Sequence, residues 1–409
     1  MGTGDYRCAN RICLAHCWLR HKLISNEDTG RMAAPDCCVI VPTVREFSNL
    51  RSYFANARLH HFDLSRIYVL LVTEDFSNKS GMEKMLNEEG VDGKAFNETD
   101  RKQWLQQLGL ERFTDLIPRR SHAETSFGLL YMWANPQFTY GWLVDDDTCP
   151  LMEHDFFGVH LGNLLSRGPV NRVSSDKKWV NVLFQSFSRH SLYPRGYPYG
   201  CMGERLTHEI GSVGDIVLSQ GLWTNVPDLD AIRILSQGSL QGIPTTRTSE
   251  SDFGDPFVVE SGSYLTISSM NLAFRREVVP AFYQFPMDDN PWGIGRFDDI
   301  WSGVLLKRIA DALGKSVMTG PPFCNHDKAS RNVFKDLRAE VPALELNEHL
   351  WEIVDEVPCQ GGTYGKNYLE IAAAFRNVEK SIFNVEFLPF VSRHLERWIE
   401  CLSTMKEVL

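Results

Sequence analysis

Phe138-Thr-Tyr-Gly-Trp-Leu-Val-Asp-Asp-Asp-Thr-Cys-Pro150 is the stretch from which the fold is read. It opens on strand-forming residues (Tyr140, Trp142, Leu143, Val144), runs into the consecutive carboxylates Asp145, Asp146 and Asp147, and closes at Pro150. A buried strand ending on carboxylates is how an open α/β sheet builds a site, because ligands sit beyond the carboxyl ends of the strands. Adjacent carboxylates repel unless a cation or several donors lie among them. A hard divalent ion with oxygen ligands, Mn2+ or Mg2+, meets that need and bridges to a diphosphate. The competing reading is an acidic turn that caps the next element.

Upstream of this stretch the chain alternates. Cys37-Cys-Val-Ile-Val-Pro-Thr43 reads as a first buried strand and Arg66-Ile-Tyr-Val-Leu-Leu-Val72 as a second, ending in Thr73-Glu74-Asp75. Asn49 to Ala57, Met82 to Gly90, Arg101 to Leu108 and Ala123 to Ala134 have helical composition or spacing. Strand, helix, strand, helices, strand argues for a parallel, nucleotide-binding sheet. Neither G-x-G-x-x-G nor G-x-x-x-x-G-K-[ST] occurs, so a nucleotide diphosphate would be held most simply by a metal on the aspartates.

Downstream, Tyr193-Pro-Arg-Gly-Tyr-Pro-Tyr199 is too proline-rich for a helix or inner strand and reads as a rigid loop with one cation at its centre. Gly221-Leu-Trp-Thr-Asn-Val-Pro-Asp228 reads as a second compact loop, with turn capping as the expected use of Asp228. Ser269 to Arg275 reads as a strand. Gly293-Ile-Gly-Arg-Phe-Asp-Asp-Ile-Trp301 leads into a helix whose first turn carries Asp298 and Asp299. Aspartates there either cap the helix or face a sugar, one as acid/base and one as hydroxyl ligand. Ser316 to Thr319 reads as a short edge strand, and Pro321 to Ser330 as a polar loop whose single His326 could be a third metal ligand.

Composition bounds the rest. Of 409 residues, 43% are hydrophobic and 23% charged, ordinary for a globular enzyme. A net charge of −10, from 42 basic and 52 acidic residues, argues against nucleic acid and anionic membranes as partners. No apolar run approaches the ~20 residues of a membrane span, and residues 1–20 lack signal-peptide character. Ten scattered cysteines imply free thiols in a reducing, cytoplasmic setting. Cys8, Cys13, His16, Cys17 and His21 lack zinc-site spacing and read as part of a tail. The expected organisation is a tail over 1–34, a catalytic domain over 35–340 and a helical region over 341–409, whose amphipathic runs suit packing or a homo-oligomer.

The acid run, the two tyrosine- and tryptophan-bearing loops, Met270-Asn-Leu-Ala-Phe274, the Gly293–Trp301 segment and His326-Asp-Lys-Ala-Ser330 occur in this order. Together they resemble the reversibly glycosylated polypeptides, the UDP-arabinopyranose mutase family, over roughly residues 37 to 340. The resemblance implies an α/β, GT-A-like (Rossmann-like) glycosyltransferase fold with a divalent metal and no flavin. It implies interconversion of the pyranose and furanose forms of a nucleotide-diphosphate sugar, with Arg195 required for activity. On it, Arg195, Asp298 and Asp299 are the catalytic candidates, and Asp145, Asp147 and His326 the metal ligands. Substrate contacts fall to Thr43, Arg45, Asp75, Asp145, Asp146, Tyr193, Tyr197, Trp223, Asn271, Arg296 and Lys328. The loop continues Gly200-Cys-Met-Gly-Glu-Arg205 where the plant proteins have Ser-Leu-Arg-Glu, and this leaves UDP and GDP, arabinose and galactose types open. A glycosyltransferase with a separate acceptor and a non-catalytic nucleotide-sugar-binding scaffold are the alternative functions.

Overall fold

Cys38 and Ile40 of the first strand pack into one apolar core and Val39 and Val41 into another, all essentially buried. A period of two with both faces apolar marks a strand inside a sheet covered by helices on each side. The computed structural model describes residues 34–45, 48–183, 192–287, 290–378 and 384–408, so the Cys8–His21 set lies outside it. In it, β1 (Cys37–Pro42), α1 (Ser48–Leu59), β2 (Ile67–Val72), α2 (Lys79–Glu89), β3 (Asp92–Phe96), α3 (Glu98–Gln107), α4 (Thr125–Ala134) and β4 (Tyr140–Val144) come first. Their strands lie in the order β3-β2-β1-β4, every neighbour parallel.

The chain continues through β5 (Thr148–Pro150), α5 (Phe156–Leu165), β6 (Val170–Ser175), β7 (Trp179–Val180), β8 (Leu206–Gly211), β9 (Ile216–Asn225) and α6 (Ala231–Ser236). Then follow β10 (Phe257–Val259), β11 (Tyr264–Leu265), β12 (Asn271–Arg275), α7 (Asp298–Ala312), β13 (Ser316–His326), α8 (Val333–Asp355), α9 (Tyr364–Arg376) and α10 (Phe387–Val408). β12 is antiparallel to β4 and to β9, β13 runs parallel to β9, and β10, β6 and β8 extend the sheet to its far edge. Residues of α1, α2 and α5 fill one core, and residues of α4 and α7 to α10 the other. This is the α/β sheet with carboxy-terminal helices that the sequence led us to expect.

One strand carries no sequence signal, and three local expectations need correction. Asp92–Phe96 has no apolar run yet forms β3, because a strand at the sheet's edge needs only Ala95 and Phe96 buried. Gly221–Asn225 is the end of the 10-residue β9, not a loop. Ser316–Thr319 begins an 11-residue strand between β9 and β10, not a short edge. A register shift between Gly320 and Phe323 carries Pro321 and Pro322, which lack the N–H a regular ladder needs. Finally, α8 begins at Val333, upstream of residue 341 at which the helical region is expected to start.

The last helices share the main core. Tyr368, Ile371 and Trp398 are fully buried with Tyr283 and Trp301, and the Trp398 ring stacks on Tyr283 at 4.7 Å between centroids. Among the described residues no helix is long and apolar enough to cross a membrane. Removing the Trp398 side chain leaves a cavity that its neighbours cannot refill. Trp398→Ala is therefore expected to cost about 3–5 kcal/mol of unfolding free energy. Urea denaturation followed by far-UV circular dichroism checks this, and a loss below about 1 kcal/mol would mean that α10 is not integral to the core.

Candidate active site

Strand pairing creates the site. β5 lies antiparallel to the end of β13, with Thr148 opposite His326 and Cys149 opposite Asn325. The acidic turn after β4 is thereby fastened beside His326, and Asp327 N donates to Asp147 O at 2.9 Å. Asp145 N donates to Met270 O at 3.4 Å just ahead of β12. Asp298 and Asp299 stand in the first turn of α7, where free amides and the helix dipole favour carboxylates. Asp299 accepts from Ser269 N at 3.3 Å and Ile300 N at 2.9 Å. These elements enclose a cavity lined by His122, Asp145, Asp147, Arg195, Asp228, Met270, Arg296, Asp298, Asp299, His326, Lys328 and Arg331.

Each acid in it has a particular partner. His122 stands between two of them, Nε2 3.2 Å from Asp145 Oδ1 and Nδ1 3.2 Å from Asp298 Oδ2. Burial alone would lower the imidazole pKa, but the two carboxylates raise it well above 6.5, so both ring nitrogens donate. Burial would raise the Asp298 pKa, and His122 holds it below the ordinary value. Its neighbour goes the other way: burial lifts the Asp299 pKa, Asp298 adds to the rise, and Arg195 opposes it. Adjacent carboxyls of opposite tendency are the arrangement that separates a base from an acid.

Arg195 is nine-tenths buried and already engaged. Its Nε donates to Asp228 Oδ2 at 3.1 Å, Nη2 lies 2.9 Å from the same oxygen, and Nη1 donates to the Arg296 carbonyl. Asp299 Oδ1 lies 3.7 Å from Nη1. Burial would lower the Arg195 pKa and raise that of Asp228; their mutual attraction more than reverses both. The Arg195 fork thus meets protein carboxylates. By contrast, Lys328 makes no hydrogen bond or ion pair among the described residues although it is only 6% exposed. Burial lowers its pKa, with Asp228 opposing. Lys328 and Arg331 are the cavity cations whose charged ends stay available among the described residues.

The metal candidates divide. His326 Nδ1 is fixed by the Val226 carbonyl at 2.7 Å, which leaves Nε2 facing Asp147 Oδ1 at 3.8 Å. That separation is too long for a hydrogen bond, and a backbone-anchored imidazole beside a carboxylate suits a shared cation. Burial would raise the Asp147 pKa, and His326 draws it below the ordinary value. Asp145, the third candidate, is turned to His122. Among the described residues no three His, Cys, Asp or Glu side chains gather as a closed metal site. Two protein ligands suit Mg2+ or Mn2+ when substrate phosphates complete the shell.

Of the other predicted contacts, Thr43 and Arg45 meet Asp146 beside the cavity, at 2.9 and 3.4 Å. Burial raises the Asp146 pKa against both. Arg296 and Lys328 line the cavity. Asp75, Tyr193, Tyr197, Trp223 and Asn271 do not. Asp75 is exposed and accepts from Thr99 N and Oγ1, both at 3.0 Å. The Tyr193 hydroxyl reaches Glu204, and that of Tyr197 reaches Trp179 O. Trp223 is buried in β9, and Asn271 joins His160, Leu222 O and Pro322 O. The two tyrosine hydroxyls and the β12 amide are drawn away from the cavity by the partners they pair with, and the Trp223 ring by its packing in the core. Asp228 holds Arg195 and does not merely cap a turn. His122 was missed because its partners lie 23 and 176 residues away, with no local pattern to mark it.

Fold and site together define a mixed-sheet α/β protein with an acid- and cation-lined cavity at the carboxyl ends of its strands. The model of the reversibly glycosylated polypeptide family matches residues 34–407, and the chain belongs to that family. It is 27% identical to UDP-arabinopyranose mutase 3 of Arabidopsis thaliana over 87% of this chain and 88% of that protein. It is 31% identical to UDP-arabinopyranose mutase 1 of Oryza sativa subsp. japonica over 53% of this chain and 54% of that protein. A solved mannosyltransferase of Pyrobaculum calidifontis, in complex with GDP-Man and Mn2+, overlaps loosely: TM-score 0.35, 13% identity, 92% of this chain and 86% of that one.

The His122 bridge has a signed pH signature. A depressed Asp298 pKa contributes stability that is full above its ordinary value of 3.8 and is lost as pH falls through the folded value. A raised His122 pKa contributes stability that is full below 6.5 and is lost as pH rises through the folded value. Both are present between those limits. With a third of the His122 side chain exposed, His122→Asn should cost about 1–2 kcal/mol there, less than a fully buried pair. The deficit should shrink toward strong acid and toward alkali. Urea midpoints across pH check it; a pH-independent deficit would mean lost packing rather than lost charge.

Proposed function

We propose that this chain is a metal-dependent, flavin-independent nucleotide-sugar mutase that interconverts the pyranose and furanose forms of a UDP- or GDP-linked sugar of the arabinose or galactose type. Family membership and the names of the relatives support the reaction class. The observation that carries the reading is the split pair Asp298/Asp299 facing Asp147, His326 and the available cation Lys328 across one cavity. Asp147 and His326 Nε2 would hold Mn2+ or Mg2+. A divalent ion there supplies neutralisation of the leaving diphosphate.

The protein's own residues do the rest. Lys328 and Arg331 face the diphosphate oxygens as point and fork cations. Breaking the bond from C1 to the diphosphate leaves an oxocarbenium-like sugar. The other hydroxyl bonds to C1 as ionised Asp298 takes its proton; the original ring C–O bond at C1 breaks as Asp299, held toward the protonated state, protonates the freed oxygen; and the diphosphate returns to C1. Arg195, 3.7 Å from Asp299 Oδ1, keeps it in place. The unpaired thiols of the described cysteines fit the cytoplasmic setting proposed from composition.

Acceptor-free incubation with a panel of UDP- and GDP-sugars tests this. Chromatography should detect ring-form conversion, abolished by a chelator and restored by Mn2+ or Mg2+. Slow hydrolysis alone would favour a transferase, no change a scaffold, and full turnover in excess chelator would remove the metal. Arg195→Lys keeps charge but cannot satisfy Asp228 and the Arg296 carbonyl at once. We expect kcat to fall about a hundredfold with KM little changed, the scale of losing one electrostatic element of a site. Near-native kcat in that variant would reduce Arg195 to a structural plug.

A further inference from the structure

Glu340 lies on α8, from which no residue lines the cavity, and it is 1% exposed. Its two carboxylate oxygens serve different loops. Oε1 accepts from Arg296 Nε at 2.7 Å, and Oε2 accepts from Ala231 N at 2.6 Å. Both loops grip Arg195. The first gives it the Arg296 carbonyl. The second, just ahead of Ala231, gives it Asp228, whose carboxylate takes Nε at 3.1 Å and whose carbonyl takes Arg195 N at 2.8 Å. A single buried carboxylate therefore joins the two walls of the guanidinium slot.

Backbone geometry points the same way. Arg296 holds φ at +65°, a left-handed conformation that a non-glycine residue keeps when its surroundings over-determine it. Those surroundings come from α8: Ala339 O accepts from Gly295 N at 3.0 Å, and Asp336 lies 3.5 Å from Arg296 Nη1. Without Glu340, Arg296 Nε loses its acceptor, and its carbonyl is free to turn from Arg195 Nη1. Arg195 would then be free to shift relative to Asp299, which it faces at 3.7 Å.

We propose that Glu340 is a positioning residue of the active site, setting Arg195 against Asp299 through Arg296 and Ala231, so that helix α8 is a working part of the catalytic apparatus. This rests on the mutase reading of the cavity. Two variants of the full-length protein probe it. Glu340→Gln replaces one acceptor oxygen with an amide. Ala231→Pro removes the N–H that Oε2 accepts, at a first helical position that tolerates proline and follows the extended Asp230. With the nucleotide sugar that the wild type converts best, both should lower kcat, Glu340→Gln by about 10–100-fold, the range for residues that orient reacting groups. KM should change little.

Two further readings separate positioning from general stability. Because Glu340 acts through Arg195, Glu340→Gln combined with Arg195→Lys should be no slower than Arg195→Lys alone. Hydrogen exchange should quicken in peptides covering 226–231 and 293–297 while the thermal midpoint stays near wild type. Wild-type kcat in both variants, additive losses in the combined variant, or unaltered exchange in both loops would overturn the proposal. If the wild type converts no nucleotide sugar, the mutase reading fails, and the exchange result alone decides whether Glu340 holds the Arg195 loops.

Discussion

Like charges crowded out of water are the constraint on which the rest of this structure depends. Asp145, Asp147, Asp228, Asp298 and Asp299 line one cavity, and Asp228, Asp298 and Asp299 are no more than 7% exposed. Carboxylates so placed repel strongly in a medium less polar than water, and each must be ionised beside a cation, hydrogen-bonded or protonated. His122 and Arg195 take most of the task. His122 takes one aspartate from each side of the cavity, Arg195 takes Asp228 and faces Asp299, and His326 stands by Asp147. The opposed tendencies of Asp298 and Asp299 follow from this division.

Keeping charges at these separations demands a rigid frame, and the mixed sheet supplies it. The short β5 reaches across to β13, so that the acidic turn and His326 are registered by a backbone ladder and not by loop conformation. β12 between β4 and β9 carries Asn271, whose amide joins the backbone carbonyls of Leu222 in β9 and Pro322 in β13. The residues that the motifs suggested as ligands and that face inward therefore still serve the site. They hold the strands that hold the acids. The same holds for the tyrosines around Arg195, which tie their loop to the core through Trp179 and Glu204.

Much of the fold was legible. Buried parallel strands announce themselves as short runs of Val, Ile and Leu, and β1, β2 and β4 fall where such runs lie. Helices with apolar spacing were equally plain. What escaped was whatever depended on a neighbour. Asp92–Phe96 is a strand because β2 offers it a ladder, and Pro321–Pro322 sit inside β13 because a register shift accommodates them. For the site, the acid run, Asp298, Asp299, Arg195, Arg296, Lys328 and His326 could be singled out as residue types in motifs. His122 and Glu340 could not, since nothing around them in the chain distinguishes them from surface residues.

Taken alone, the sequence determined the α/β alternation, the acids at the end of the fourth strand and at the start of α7, and the family, because these are local patterns of polarity and residue type. The tertiary structure decided which charge meets which. Electrostatic coupling depends on distance and on the exclusion of water, and both are set by strand order and packing rather than by separation along the chain. Asp145 and Asp298, 153 positions apart, share one imidazole because β12 lies next to β4 and α7 starts opposite the turn that β4 ends in. Arg195 faces inward, held by Asp228, for the same reason: the folded chain brings to it carboxylates that its own loop does not contain.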